Sequence, residues 1–466
     1  ICPATSMNEP LPNGLSSRCS SQVRKKVLVV TYYFPPSGGA GVQRTLKFVK
    51  YLPASGWLPV VLTARNADYP AYDPTLAAEV PPEVPVHRSR IVEPYRVYRR
   101  LTGRRLDEPM DIAALTRDEH QRRSLRERLA EAVRNWLFIP DARVGWVPFA
   151  VYKGLQAVRH HQVQAIYSSA PPYSCHLIGL CLSLLTGLPW IADFRDSWVG
   201  WLSAAQRPPL PRKVDLYLEE RVLARADVVL TVSRGVAEDL ASRHPESHDS
   251  RWHLLPNGYD GADYEGLAPL LRSGRLVITY TGSLYGPRNP EALLRATKRL
   301  IASRPEIRDH LLLRFVGRTG GFIEQMLRDP ALAGVVEFVP YVPHRESLRF
   351  LLSSDLLLLI IDDAPANKGI LTGKLYEYIG ARKPILALAP EGEAATLIRS
   401  LGLGEVVPPT DDHAIEETLT RAYHRWRQGA LRLSQVQQEK LEFFDRRHLT
   451  RQLAALLDEL VQADNP

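Results

Sequence analysis

The sequence predicts an α/β protein: two Rossmann-like, doubly wound parallel-sheet domains facing each other across a cleft. Three observations carry that expectation. Residues 26–63 run strand, Gly-rich loop, helix, strand, the pattern of a βαβ unit and a parallel sheet. The same alternation restarts at residue 276, after a turn-rich junction near 257–272. The chain of 466 residues is long enough for two or three domains, each with its own core.

Taken in order, residues 1–23 lack periodicity and read as a flexible tail. The β-branched run at 26–31 (KVLVVT) is the first strand, closed by the loop YYFPPSGGAG. A helical pattern follows through Leu46, Val49 and Leu52, and 59–63 (PVVLT) is the next strand. Residues 66–135 read as an irregular insertion or a long helical excursion. Further strands are expected at 165–168, 190–193 and 228–232, each after a helical stretch. Pro256, Asn257 and Gly258 supply turn chemistry that ends the first α/β set. In the second set, 276–280, 311–316, 335–339, 355–361 and 383–388 read as strands, and 290–301 and 374–380 as helices. The expected organisation is therefore a tail (1–23), a first domain (24–257), a second domain (258–430) and C-terminal helices (431–466) that return toward the first domain.

Composition narrows the class. With 45% apolar and 24% charged residues, the chain is neither disordered nor fibrous. The most apolar stretch, 177–192, is interrupted by Gly179, Gly187 and Pro189 and is too short to span a membrane. Four cysteines (Cys2, Cys19, Cys175 and Cys181) are too few for a disulfide scaffold or a zinc framework. No basic-then-apolar leader opens the sequence, so a cytoplasmic location is expected. The formal charge is 59 − 51 = +8, and residues 86–135 alone hold 13 Arg against 8 Asp and Glu. That stretch reads either as a solvated helical face or as a surface meeting anionic lipid or a phosphate-bearing acceptor. No nucleic-acid-binding pattern accompanies it.

Loops directly after strands are where such sheets bind ligands. Gly38, Gly39 and Gly41 follow the first strand and open a helix, which suits an anion at a helix N-terminus; a plain structural turn is the competing reading. The dinucleotide fingerprint fails, because Arg44 stands where its third glycine belongs, and no Gly-Lys-Ser or Gly-Lys-Thr makes a Walker loop.

The set FPPSGGAGVQR, DFRDSW, TVS…PNGYD, TGSLYGPRNPEALLRA and GKLYEYIGARKPILAL, spread over residues 26–408, resembles the family 4 retaining glycosyltransferases, which have the GT-B fold. The resemblance implies a nucleoside-diphosphate-sugar donor held mainly by the second domain and an acceptor held mainly by the first. Gly38 and Gly39 would lie over the donor diphosphate. The family's G-R-L-x-x-x-K motif reads here from Gly282 through Ser283 to Arg288, with the lysine replaced by an arginine able to grip phosphate in bidentate fashion. Glu377 matches the second of the family's paired glutamates, which accepts hydrogen bonds from the ribose; the first is replaced by Gly369. Gly373 and Lys374, at a helix start, suit a diphosphate, although Lys374 and Glu377 also satisfy the spacing of a surface ion pair. Arg195 and Asp196 fall where the family lines the acceptor side, in a catalytic or a purely structural capacity.

The expected reaction is transfer of a hexosyl- or N-acetylhexosaminyl-type unit to an acceptor hydroxyl with retention, in cell-surface polysaccharide or glycolipid assembly. Arg288, Lys374 and backbone N–H groups would meet the leaving-group charge without a metal or other cofactor. The sequence offers no clear candidate carboxylate for a double displacement, so front-face attack assisted by the leaving group is favoured. The expected partners are the donor and a saccharide or lipid-linked saccharide acceptor, with an anionic membrane face as a further candidate and no nucleic acid. A UDP-sugar epimerase of the same fold, and a non-catalytic nucleotide-sugar or lipid-binding protein, remain as alternatives.

Overall fold

The structure, a computed structural model, describes residues 24–69, 71–92, 136, 138–200, 207–247, 249–270, 274–284, 286, 288–369 and 371–463. The tail (1–23) and much of the Arg-rich stretch, including Arg99, Arg100, Arg104 and Arg105, lie outside them. Among the described residues the first sheet has seven strands: β1 (Lys25–Val30), β2 (Trp57–Ala64), β3 (Val86–Ser89), β4 (Ala165–Ala170), β5 (Trp190–Phe194), β6 (Val228–Thr231) and β7 (Trp252–Leu254). The second has six: β8 (Leu276–Thr281), β9 (Leu311–Val316), β10 (Val336–Val339), β11 (Leu356–Ile360), β12 (Ile385–Leu388) and β13 (Gly404–Val407). All neighbours pair in parallel, in the orders β3-β2-β1-β4-β5-β6-β7 and β10-β9-β8-β11-β12-β13.

Both sheets are doubly wound. The strand order reverses between β1 and β4 in one and between β8 and β11 in the other, and crevices form at such points beyond the strand ends. The first domain's helices are α1 (Ala40–Tyr51), α2 (Val147–His161), α3 (Ser174–Thr186), α4 (Pro209–Arg225) and α5 (Arg234–Arg243). The second domain carries α6 (Glu291–Ser303), α7 (Gly321–Leu327), α8 (His344–Leu352), α9 (Gly373–Ala381), α10 (Glu393–Ser400) and α11 (Asp412–Arg427), then α12 (Gln435–Leu441) and α13 (Arg446–Ala463).

The central strands form because their residues are apolar on both faces. β11 is buried along its whole length, sandwiched between helices. Three strands depart from the expected pattern. β3 lies inside the supposed irregular insertion, β7 just precedes the junction turn, and β13 follows the last expected strand. All are short edge or near-edge strands with polar or glycine positions, so they lack the apolar run that marks the others.

The two domains are joined twice. Leu441 and Phe444 belong to the second domain's core, while Leu449, Leu453 and Leu457 of α13 pack with Val42, Leu46 and Val49 of α1 in the first. The two crossings run side by side: Tyr259 N–H donates to Phe444 C=O at 3.0 Å, and Arg446 N–H donates to Tyr259 C=O at 2.8 Å. The C-terminal edges of the sheets also touch. Ser233 Oγ, after β6, donates to Gly369 C=O at 3.3 Å, and Glu393 accepts the Gly235 N–H at the start of α5.

Candidate functional site

The second sheet's switch point gathers most of the residues that the sequence singles out. α9 buries Leu375, Tyr376, Tyr378 and Ile379, so Lys374 and Glu377 are left on its other side. Its register is fixed by Tyr378, whose hydroxyl donates to Leu358 C=O at 2.9 Å and accepts from Thr281 N–H at 3.2 Å. One phenol thus ties the helix to β11 and β8, the strands that flank the switch point.

Lys374 folds back over Gly282. A Cβ on residue 282 would stand 2.2 Å from Lys374 Cε, and Gly282 has φ 112°, so only glycine fits. The ammonium lies 4.3 Å from the centre of the Tyr280 ring and hydrogen-bonds its hydroxyl. That hydroxyl donates in turn to Ser283 C=O at 2.9 Å. Burial first, and then the charge of Arg288, pull the Lys374 proton affinity down to about 7 against the attraction of Glu377. Arg288 itself lies 3.8 Å from Asp362.

Glu377 is also perturbed. Burial raises its proton affinity, opposed by His344 and Lys374. His344 Nδ1 stands 3.7 Å from the Glu377 carboxylate and its Nε2 stands 3.8 Å from Asp263. Burial works against protonation of His344, but Asp263 and Glu377 prevail and hold its affinity above the usual range. The helix start at Gly373 has no side-chain cap, so its first N–H groups are available to an anion. The hydroxyls of Thr281, Thr319 and Thr372, at neighbouring strand and helix ends, are buried and have no hydrogen-bond partner among the described residues. Gly282, Ser283, Arg288, Gly373, Lys374 and Glu377 therefore share one edge of one sheet. Tyr280 and His344 join them, although neither stands out in the sequence.

The first domain places its candidates on the facing edge. Gly39 has φ 82° and precedes α1 without a side-chain cap. Gly38 N–H donates to Ala71 C=O at 2.9 Å, and a Cβ there would press on Asp73 at 3.0 Å. Arg195 donates to three backbone carbonyls: Gly41 at 2.6 Å, Ala170 at 3.2 Å, and Pro171. It brackets the start of α1 against the end of β4, and its bonds are to the scaffold. Asp196 beside it has no hydrogen-bond partner for its carboxylate among the described residues. Burial, offset in part by Arg195, raises its proton affinity to about 6. Asp193 pairs with Arg44 and not with Arg195, through two bonds of 2.9 and 2.8 Å, and also accepts from Tyr167 and Ser169.

Gly369 faces Gly235 across the domain contact. A Cβ on Gly235 would lie 2.6 Å from Gly369 Cα, and one on Gly369 would lie 3.2 Å from Gly235 Cα. The pair permits backbone-to-backbone approach, which gives a physical reason for glycine at 369. Elsewhere, the carboxylates of Glu79, Asp260 and Asp263 come close enough to hold a cation, but they already surround the Lys47 ammonium at 2.6, 2.8 and 2.7 Å.

With this geometry in place, similarity to known proteins is informative. Residues 104–262 match the family model described as Glycosyltransferase Family 4. No curated protein matches the chain in sequence. A glycosyltransferase from Rickettsia africae ESF-5 superposes with a TM-score of 0.63 at 11% identity, covering 95% of this chain and 100% of its own. An E. coli structure described as trehalose-6-phosphate bound with UDP-2-fluoro glucose gives 0.59 at 12% identity, covering 94% and 99%. WaaG, a glycosyltransferase involved in lipopolysaccharide biosynthesis, gives 0.54 at 15%, covering 92% and 99%. At such identities the superpositions establish the fold alone, and the family match is confined to residues 104–262. The chain has the GT-B fold of two Rossmann-like domains, and its residues 104–262 carry the glycosyltransferase family 4 match.

Proposed function

We propose that this protein transfers a sugar from a nucleoside-diphosphate sugar to an acceptor hydroxyl, with retention at the anomeric carbon. The observation that carries the proposal is the edge between β8 and β11. A half-buried lysine, Arg288, an uncapped helix start and three threonine hydroxyls without a partner among the described residues meet there beside a half-buried carboxylate. Such a set suits a diphosphate with its ribose on Glu377. Departure of the diphosphate builds negative charge, which Lys374, Arg288 and the first N–H groups of α9 would stabilise, so a divalent metal is not needed. Asp196, with an affinity near 6, is the acceptor-side carboxylate suited to hold or take the hydroxyl proton.

UDP-, GDP-, ADP- and dTDP-sugars should be screened by calorimetry and for slow donor hydrolysis. One should bind the wild type, and Lys374→Ala should lose transfer while remaining folded. Binding of none of them, or normal turnover by the variant, would sink the proposal. Conversion of donor to its epimer without an acceptor would favour the epimerase reading.

The acceptor reading is lipid-linked, presented at an anionic membrane face during polysaccharide or glycolipid assembly. Leu210, Val214 and Tyr217 form an exposed apolar stripe on α4 at i, i+4 and i+7, with Arg212, Lys213 and Arg221 on the same helix. Among the described residues no helix is long and apolar enough to cross a membrane, so contact would be peripheral. Salt-sensitive sedimentation with acidic liposomes should weaken in Leu210→Asp and Tyr217→Asp; unchanged sedimentation would remove the membrane from this account.

A further inference from the structure

A second concentration of positive charge lies where the two domains join, and the proposed transfer makes no use of it. Arg446, in the first turn of α13, is only 4% exposed and has no carboxylate within ion-pair distance among the described residues. Its Nη2 reaches Asn257 Oδ1 at a long 3.5 Å, and its buried Nη1 has no partner among the described residues. Arg44 Nη1 approaches the same Oδ1 at 3.4 Å. Arg44 is already neutralised by Asp193 and also donates to the carbonyls of Leu255 and Pro256, both at 2.9 Å. Two guanidinium groups and one carboxylate leave one positive charge uncompensated in a buried place. The Tyr376 hydroxyl, from α9 and 1% exposed, lies beside the Asn257 backbone and has no hydrogen bond of good geometry among the described residues.

Burial and then the neighbouring Arg44 charge pull the Arg446 proton affinity down to about 9, well below the arginine range. An unpaired buried charge is costly, and a water molecule would satisfy the hydrogen bonds while leaving the charge unanswered. A bound anion answers both. We propose that Arg446 and Tyr376, arranged around Asn257, form a binding site for one small monovalent anion of chloride size at the domain junction. The near-complete burial of both side chains argues for a compact ion. Its neighbours come from the first domain (Arg44), the junction (Asn257), the donor helix (Tyr376) and the returning helix (Arg446). Occupancy therefore favours the joined arrangement of the two domains. The site is independent of the transfer chemistry.

Thermal unfolding of the full chain at constant ionic strength, with sodium chloride replacing sodium gluconate, tests the proposal. The wild type should show a saturable rise of its midpoint with chloride, and Arg446→Gln should show none. Tyr376→Phe, which removes one donor, should raise the half-saturating chloride about fivefold. Crystals grown in bromide should give an anomalous peak within hydrogen-bond distance of Arg446 Nη1 and the Tyr376 hydroxyl. A chloride response that is absent, or equal in wild type and Tyr376→Phe, overturns the site, as does the lack of a bromide peak. The Tyr376→Phe and bromide arms decide the matter even if Arg446→Gln does not fold.

Discussion

If a donor diphosphate seats against Lys374 as proposed, donor binding takes up a proton. With an affinity near 7, the Lys374 amine is about nine-tenths charged at pH 6 and about one-tenth charged at pH 8. A diphosphate placed against it raises that affinity, because the anion favours the ammonium. The bound state then holds the proton where the free protein has lost it, so affinity falls as pH rises through 7. If the charged form is required, the apparent Kd of a nucleoside-diphosphate sugar should rise about tenfold between pH 6 and pH 8, or about 1.4 kcal/mol. A sugar-bearing donor is preferable to the free diphosphate, whose terminal phosphate titrates in the same interval. Calorimetry in two buffers of different ionisation enthalpy should show uptake approaching one proton at pH 8. Lys374→Met should bind more weakly at pH 6 and lose both the slope and the uptake. A Kd that is flat across the interval, or the same slope in Lys374→Met, refutes the assignment of this lysine to the diphosphate.

Other expectations concern the scaffold. Asp193→Asn breaks the buried pair with Arg44 and should lower stability by about 3–5 kcal/mol in urea unfolding; a loss under about 1 kcal/mol would contradict its structural reading. Gly235→Ala forces a methyl against Gly369 and should cost about 1–3 kcal/mol. It should also widen the cleft in solution scattering, and an unchanged profile counts against the contact. Asp196→Asn should stabilise the protein at pH 7.5. The folded-state affinity of Asp196 is raised, so its contribution is favourable below about pH 4 and is lost as pH climbs through 6. Titration of the thermal midpoint from pH 4 to 8 should show the wild type losing ground relative to the variant over that interval.

The residues readable from sequence are those whose chemistry is local. β11 announces itself as five apolar residues in a row, whereas the three-residue β7 and the half-exposed β3 are strands only because a neighbour is there to pair with. Lys374 and Glu377 share a helical spacing and a Gly-Lys helix start, so their neighbourhood follows from the chain itself. The carbonyls that hold Arg195 lie 24, 25 and 154 residues away in sequence, so its bracket role is invisible without the fold. His344 reaches Glu377 only because α8 and α9 pack together, and Tyr280 looks like any strand tyrosine until Lys374 lies across it. Gly369 is the converse case. Its departure from the family pattern is plain in the sequence, but the reason for it, Gly235 on the other domain, is not.

The paired crossings at Tyr259 and Asp445 have a mechanical consequence. Two covalent links set far apart would clamp the domains at a fixed angle, and a single link would let them tumble. Here the links are laced together by the hydrogen bonds of Tyr259 with Phe444 and Arg446, so they bend as one flexure. Any rotation of one domain against the other would turn about that short ribbon. α13, anchored to α1, acts as the lever arm, because any displacement of the second domain bears on it through Leu441 and Phe444. Removing the chain beyond residue 430 would strip away one leaf of the flexure as well as a helix of the first domain's core.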